Sequence, residues 1–161
     1  MFENVDKLKA RLDALRPLPI NTAKSLHEQT VLEWTYNSNA IEGNTLTIKE
    51  TKVVLEGITI GGKSMREHFE AINHQEAILY VEDLVSSDEP FTEHTIKSIH
   101  QLVLKNIDAE NAGVYRSENV IISGAEHVPP DFINVPEQMA AIVDSYRYST
   151  LHPIERAARL H

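Results

Sequence analysis

The segment Ser38-Asn39-Ala40-Ile41-Glu42-Gly43-Asn44 is the most specific candidate for chemistry in this chain. Ser38 and Glu42 are four residues apart and therefore share one face of a helix. Gly43 follows directly and can end that helix in the left-handed conformation. An acid at this position is unfavourable, because the carboxyl end of a helix is the negative end of its dipole, and a cation from elsewhere would compensate it. By spacing alone, the simpler interpretation is an ordinary glutamate on a solvated last turn.

Other arrangements that carry chemistry are weak or missing in the sequence. The eight histidines form no His-Glu-x-x-His pattern and the chain has no cysteine, so we expect no metal site built from this chain alone. Gly61-Gly62-Lys63-Ser64 ends like a phosphate-binding loop, but it lacks the earlier glycine and a preceding strand, which favours a helix-capping turn. No Gly-x-Ser-x-Gly hydrolase motif occurs. We therefore assign no catalytic residue within this chain.

Composition and charge are those of an ordinary globular protein. The chain has 161 residues, 42% of them apolar and 24% charged, which fits about one domain. Its net charge of −9 argues against binding to nucleic acid or to an anionic membrane surface. No apolar run is long enough to span a bilayer, and the first residues do not resemble a secretory signal. Together with the lack of cysteine, this favours a cytoplasmic protein.

Helical periodicity dominates the chain and assigns the candidate residues to elements. The helix that carries Ser38 and Glu42 is predicted to begin near Asn21 and to end before Gly43. Two later helices open on capping boxes, in which a Thr or Ser is followed three residues on by a Glu: Thr47 with Glu50 and Ser64 with Glu67. The predicted helices lie at about residues 2–15, 21–42, 47–55, 64–86, from 92 onward, 136–148 and 154–161.

Residues 119–128 form the only segment that favours β structure. The segment contains three β-formers and a turn: Val120, Ile121, Ile122, Ser123 and Gly124. His127-Val128 could return as a second strand, and Pro129-Pro130 would end it, because proline cannot donate in a ladder. We therefore predict an all-α fold with one β-hairpin.

The pattern Ser38-x-x-x-Glu42-Gly43 resembles the inhibitory motif (S/T)xxxE(G/N) of the Fic family, protein adenylyltransferases that move AMP from ATP to a hydroxyl side chain. The family's signature, HPFx(D/E)GNGRxxR, is absent from these 161 residues. His152-Pro153 resembles its start, and the resemblance places the signature shortly after His161. Further segments resemble the family in the same order: residues 61–68 with 72–74, 95–100, 112–116, 120–124, 127–130, 135–139 and 152–161.

The resemblance implies a Fic-like helical fold, incomplete at its carboxyl end. Residues 1–60 would form the N-terminal helices, with an inhibitory helix at about 22–43. Residues 61–161 would form the first part of the Fic core, and the hairpin at about 119–128 would be its flap. By its edge, this flap would dock an extended segment of a target protein.

The resemblance also implies partners and a role for the inhibitory motif. The full-length protein would use ATP and Mg²⁺, and its target would present a Ser, Thr or Tyr hydroxyl. Glu42 would occupy the place of the γ-phosphate of ATP by pairing with the last arginine of the signature. Ser38, one turn earlier, would support that contact, and Gly43 completes the motif.

Three interpretations of the function stay open from the sequence. The first is a portion of an autoinhibited adenylyltransferase that lacks the catalytic loop as given and is inactive alone. The second is a non-catalytic regulatory or binding module, either a degenerate or a truncated Fic protein. The third is a helical scaffold without a nucleotide role. An inhibitory helix at a surface could also pack in a dimer, which leaves a homo-oligomer open.

Overall fold

The computed structural model describes residues 2–160, and every regular element in that range is helical. The predicted helices are present, with ends that differ by no more than a few residues. Met1 and His161, the last residue of the predicted final helix, lie outside the described residues. The helices are α1 Glu3–Asp13, α2 Ile20–Ile41, α3 Ile48–Leu55, α4 Met65–Ser86, α5 Glu93–Leu104, α6 Val135–Tyr148 and α7 Pro153–Leu160, with a 3-10 turn at Phe132–Asn134 before α6.

Capping boxes fix the starts of the three central helices, α3, α4 and α5. In each box a hydroxyl side chain accepts the backbone N–H three residues on, and that later side chain hydrogen-bonds the backbone N–H of the cap. The sequence predicts two of these boxes. The third pairs Thr92 with Thr95 in place of the usual Glu or Gln, so the standard pattern does not identify it. The pairs are Thr47 with Glu50, Ser64 with Glu67, and Thr92 with Thr95.

Helix α4 is the centre of the fold, since it packs against α2, α3 and α5. The buried core lies where α3 and α4 meet and includes Val54 and Ala71, with Leu46 from the connection between α2 and α3. Helix α6 packs against α5 and α7. None of the helices within residues 2–160 has the length and apolar character needed to cross a membrane.

Helix α1 stands apart from this core. It packs against none of the other helices that the structure describes. The Phe2 ring, directly before α1, stacks on the His152 ring at 4.2 Å between centroids, and the Asp6 carboxylate lies 3.0 Å from Nε2 of His152. The apolar stripe of α1 is solvent-exposed, as at Leu8, which is 61% exposed. The amino-terminal helix is therefore attached through a small contact and not through the core.

The predicted β-hairpin is wrong. Residues 119–128 form no strand, and the only regular feature there is a turn in which the Ala125 N–H donates to the Ile122 carbonyl at 3.2 Å. Gly124 has a φ of +79° within this turn, so the turn was predicted correctly and the strands were not. Two prolines, which cannot donate in a ladder, directly follow the predicted return strand at His127-Val128, and an isolated two-stranded ribbon is marginal in water. Within residues 2–160 no strand is present that could support such a ribbon.

Side chains replace the missing strand pairing at the base of this loop. The Arg116 guanidinium donates to the Pro130 carbonyl across the loop. The Asn119 amide oxygen accepts the Phe132 N–H at 2.9 Å, and its nitrogen donates to Asp131 at 2.6 Å. These bonds bring the two ends of the segment together, so that it closes as a loop whose tip projects from the helices.

Candidate functional site

Helix α2 ends at the position that the sequence predicts. Glu42 is the C-cap residue, and Gly43 follows with a φ of +93°, a conformation that favours glycine. The Gly43 N–H donates to the Ala40 carbonyl at 3.1 Å, and the Asn44 N–H donates to the Asn39 carbonyl at 3.0 Å. This pair of bonds is a Schellman motif, which satisfies carbonyls of the last helical turn.

The Glu42 carboxylate is exposed at the negative end of α2. The last turn of the helix contains no basic residue, and none of the ion pairs among residues 2–160 includes Glu42. Its charge adds to the negative end of the helix dipole without compensation from the described part of the chain. Ser38, one turn earlier, is partly buried. The end of α2 therefore presents an acid that would attract a cation.

Asn44 ties the end of α2 to α4. Its side-chain nitrogen donates to the Glu67 carbonyl at 3.0 Å and to a Glu70 carboxylate oxygen at 2.9 Å. Its side-chain oxygen accepts the Leu46 N–H at 3.0 Å, which forms a local turn. The sequence places Asn44 in the candidate segment but gives it no role, because its partners on α4 are more than twenty residues away in the chain.

Glu67 joins the same junction from the side of α4. One of its carboxylate oxygens accepts the Thr45 N–H at 3.0 Å and the Thr45 hydroxyl at 2.5 Å, while the other accepts the Ser64 N–H at 2.8 Å. Lys63 donates to the Thr45 hydroxyl at 2.9 Å. Hydrogen bonds from the Thr45 side chain and then from Ser64 lower the pKa of Glu67 to about 2. The sequence identifies Glu67 as a cap residue and misses its contact with Thr45.

The five residues predicted to form the target-docking flap, residues 120–124, lie in the loop described above. Ile121 is 93% exposed, and Val120 and Ile122 are about half exposed. Ser123 and Gly124 form the turn that follows. The hydrogen bonds at the base of the loop connect it to residues 130–132, and none of those described connects it to α2.

Two of the histidines in the segments that resemble the Fic family, His68 and His74, contact polar groups of the chain itself. His68 is buried, and its Nε2 accepts the Ile60 N–H at 2.8 Å while Nδ1 lies 2.7 Å from the Ser64 carbonyl, to which it donates. Burial lowers the pKa of His74, which lies 3.3 Å from the Thr35 hydroxyl. Within residues 2–160, no three His, Asp or Glu side chains are grouped so that they could hold a metal ion.

Two solved structures that share this arrangement of helices are Fic proteins. A Fic domain containing signaling protein from Bacteroides thetaiotaomicron superposes with a TM-score of 0.89 at 30% identity, over 98% of this chain and 62% of that one. Fic-1 from Caenorhabditis elegans superposes with a TM-score of 0.84 at 31% identity, over 98% and 47% of the two chains. The helices therefore form the fold of a Fic domain, as the resemblance implied.

The sequence comparisons agree with the fold. Residues 90–161 match the Fic/DOC family model. Protein adenylyltransferase Fic from Nematostella vectensis is 37% identical over 166 residues, and protein adenylyltransferase fic-1 from Caenorhabditis elegans is 35% identical over 168 residues. The aligned regions cover 99% and 100% of this chain, but only 38% and 32% of those relatives. The chain belongs to the Fic family and spans about a third of the length of these relatives.

Proposed function

We propose that this chain is a portion of an autoinhibited Fic protein adenylyltransferase, which transfers AMP from ATP to a hydroxyl side chain of a target protein. The observation that carries the proposal is the Glu42 carboxylate, which stands exposed at the carboxyl end of α2 with no cation beside it in residues 2–160. The relatives named protein adenylyltransferases support the activity. In this proposal, residues 1–60 are the N-terminal helices, with the inhibitory helix at about 22–43, and residues 61–161 are the N-terminal part of the Fic core.

We assign no residue among 2–160 to the binding of ATP or Mg²⁺. These residues contain no grouped metal-ligating side chains, and the sequence has no phosphate-binding glycine loop. We therefore assign ATP and Mg²⁺ to the whole protein, through the signature HPFx(D/E)GNGR that these 161 residues lack. No step of the reaction is assigned to a residue of this chain.

In this proposal, the chain inhibits AMP transfer through the charge and the position of Glu42. Glu42 attracts the last arginine of the signature and takes the place of the γ-phosphate, while Ser38 supports that contact from the preceding turn. Phosphoryl transfer depends on positioning, so that a displaced nucleotide reacts slowly. The same pairing compensates the acid at the end of the helix.

The loop around residues 120–124 is the proposed contact with the target. Its backbone groups are free of a strand ladder, and the side chain of Ile121 is almost fully exposed. In this proposal, a target segment that carries a Ser, Thr or Tyr hydroxyl contacts these exposed residues. The bonds of Arg116 and Asn119 at the base of the loop support a defined position for its tip.

A cytoplasmic location is in keeping with the cysteine-free sequence.

The substitution Glu42→Gly tests the inhibitory role in the full-length protein. We expect AMP transfer to rise by up to ~100-fold, which is the effect of restoring the alignment of misplaced reacting groups. The measurement is incorporation of label from radiolabelled ATP into protein. Glu28→Gly is the control, because it removes an exposed acid from the same helix far from its end. AMP transfer that is the same in Glu42→Gly and in the wild type would contradict the proposal.

The coding sequence beyond the codon for His161 separates the catalytic proposal from its alternative. A reading frame that continues into HPFx(D/E)GNGR supports an adenylyltransferase with Glu42 as its inhibitor. A frame without that signature favours a non-catalytic binding or regulatory module. In that case, the exposed Glu42 and the 120–124 loop would act as contact surfaces for a partner.

A further inference from the structure

No residue of α2 after Thr35 is buried, and the next buried apolar side chain along the chain is Leu46, four residues after Glu42. The buried residues of this helix are Val31 and Thr35, so the last of them lies nearly two turns before Glu42. Ile41, directly before Glu42, is 83% exposed. A helix end that lacks buried contacts opens locally at little cost. Apolar packing therefore does not determine where the Glu42 carboxylate is held.

Hydrogen bonds to α4 hold the segment that lies between the end of α2 and the buried Leu46. The Asn44 amide donates to the backbone and to a carboxylate of α4, through Glu67 and Glu70. The Glu67 carboxylate accepts both the N–H and the hydroxyl of Thr45. We name these contacts the α2–α4 tether. They lie two and three residues after Glu42, beyond the Gly43 turn, so they determine the direction in which α2 ends.

We propose that Asn44 and Glu67 are positioning residues, and that the α2–α4 tether keeps the end of α2 where Glu42 inhibits AMP transfer. This inference rests on the proposed function of Glu42. Loss of the tether leaves the helix core intact, because Val31 and Thr35 stay buried against the other helices. It frees only the last turns of α2. Inhibition then weakens although Glu42 itself is unchanged.

Two substitutions weaken the tether in different ways. Asn44→Asp keeps the oxygen that accepts the Leu46 N–H, but it removes the nitrogen that donates to α4 and places a second acid beside Glu70. This substitution therefore tests the bonds from Asn44 to α4 while the local turn with Leu46 is retained. Glu67→Gln retains the shape of the side chain and removes its charge. Thr92→Ala is the matched control, because it removes a capping box on α5 and touches no residue of the tether.

Hydrogen exchange on the full-length protein tests the tether independently of activity. We expect the backbone amides of residues 39–46 to exchange about fivefold faster in Asn44→Asp and Glu67→Gln, on the scale of one lost hydrogen bond. The amides of α4 and α5 should keep their protection in Asn44→Asp, and Thr92→Ala should leave residues 39–46 unchanged. Equal exchange of residues 39–46 in the wild type and in both tether variants would overturn the inference.

AMP transfer by the full-length protein tests the consequence for inhibition. We expect both tether variants to raise the rate by about fivefold, less than Glu42→Gly, while Thr92→Ala gives the wild-type rate. Activation by Glu42→Gly without activation by either tether variant overturns the tether and leaves autoinhibition standing. If Glu42→Gly does not activate, the proposed function fails, and the exchange rates alone then decide whether the tether positions the helix end.

Discussion

At the scale of single residues, one buried amide determines how α5 ends. Asn73 lies on α4 and is 1% exposed. Its side-chain nitrogen donates to the Val103 carbonyl at 3.0 Å and to the Lys105 carbonyl. These carbonyls belong to the end of a helix, where the backbone has no helical partner of its own. Asn73 thus connects two helices at a point where an apolar side chain would leave two acceptors unsatisfied.

Replacing this amide should therefore destabilise the fold. We expect Asn73→Ala to lower the free energy of unfolding by about 2 kcal/mol, because it leaves buried carbonyls without donors. Urea unfolding followed by circular dichroism measures the change. Asn37→Ala is the control, since Asn37 is exposed and its one side-chain bond is to the Glu33 carbonyl of its own helix. An equal decrease in the free energy of unfolding in the two variants would show that Asn73 does not stabilise the fold by donating to the carbonyls at the end of α5.

At the scale of elements, Glu67 belongs to two junctions at once. It completes the capping box with Ser64 at the start of α4, and it accepts the Thr45 N–H just after α2. Both contacts use the charged carboxylate as acceptor. One ionised side chain thus sets the start of α4 relative to the end of α2, and the junction becomes sensitive to acid.

The pH dependence of stability follows from this carboxylate. Hydrogen bonds lower the pKa of Glu67 from 4.5 to about 2. A lowered pKa in the folded state contributes stability above the unfolded value, and that contribution is lost as the pH falls from 4.5 towards 2. We expect the urea midpoint of the wild type to exceed that of Glu67→Gln at neutral pH. The difference should shrink through this acidic range.

Urea titrations of both proteins across the acidic range test this expectation. Glu33→Gln is the control, because Glu33 is exposed on α2 and bonds only within its own helix. Its midpoint should follow that of the wild type at each pH. A constant difference between the wild type and Glu67→Gln, from neutral pH to about pH 2, would contradict the role of the charge.

At the scale of the whole molecule, stability is concentrated around α4. The core cluster joins α3, α4 and the connection before α3, and it includes Val54, which is 2% exposed. Helix α1 lies outside this unit among the described residues, and its apolar stripe faces solvent. An apolar side chain contributes to folding only through the surface that it buries, so the two regions should respond differently to truncation.

Two truncations of apolar side chains test this distribution. We expect Val54→Ala to lower the free energy of unfolding by about 2 kcal/mol, because it opens a cavity in the core. Leu8→Ala on α1 should change it by less than about 0.5 kcal/mol, because that side chain is largely exposed. Chemical denaturation of both variants gives the comparison. A cost for Leu8→Ala as large as that for Val54→Ala would place α1 inside the core.

Local sequence patterns predict the helices, because the interactions that start, maintain and end a helix act between residues only a few positions apart. Apolar spacing, the capping boxes at Thr47 and Ser64, and Gly43 after Glu42 each act over one turn. The β-hairpin failed for the opposite reason. Residues 120–122 have β propensity, but a strand also needs a partner, and residues 126–130 do not pair with them. The chain closes the loop with Arg116 and Asn119 instead.

The sequence by itself determined the helices, their caps and the family, together with the position of Glu42 at a helix end. Only the tertiary structure decided what holds that end. Asn44 and Thr45 meet Glu67 across more than twenty residues, and Asn73 meets the end of α5 across about thirty. Such contacts depend on how α4 packs against α2 and α5. A hydrogen bond between residues that are distant in the chain produces no periodic pattern or short motif, so it cannot be predicted from the sequence alone.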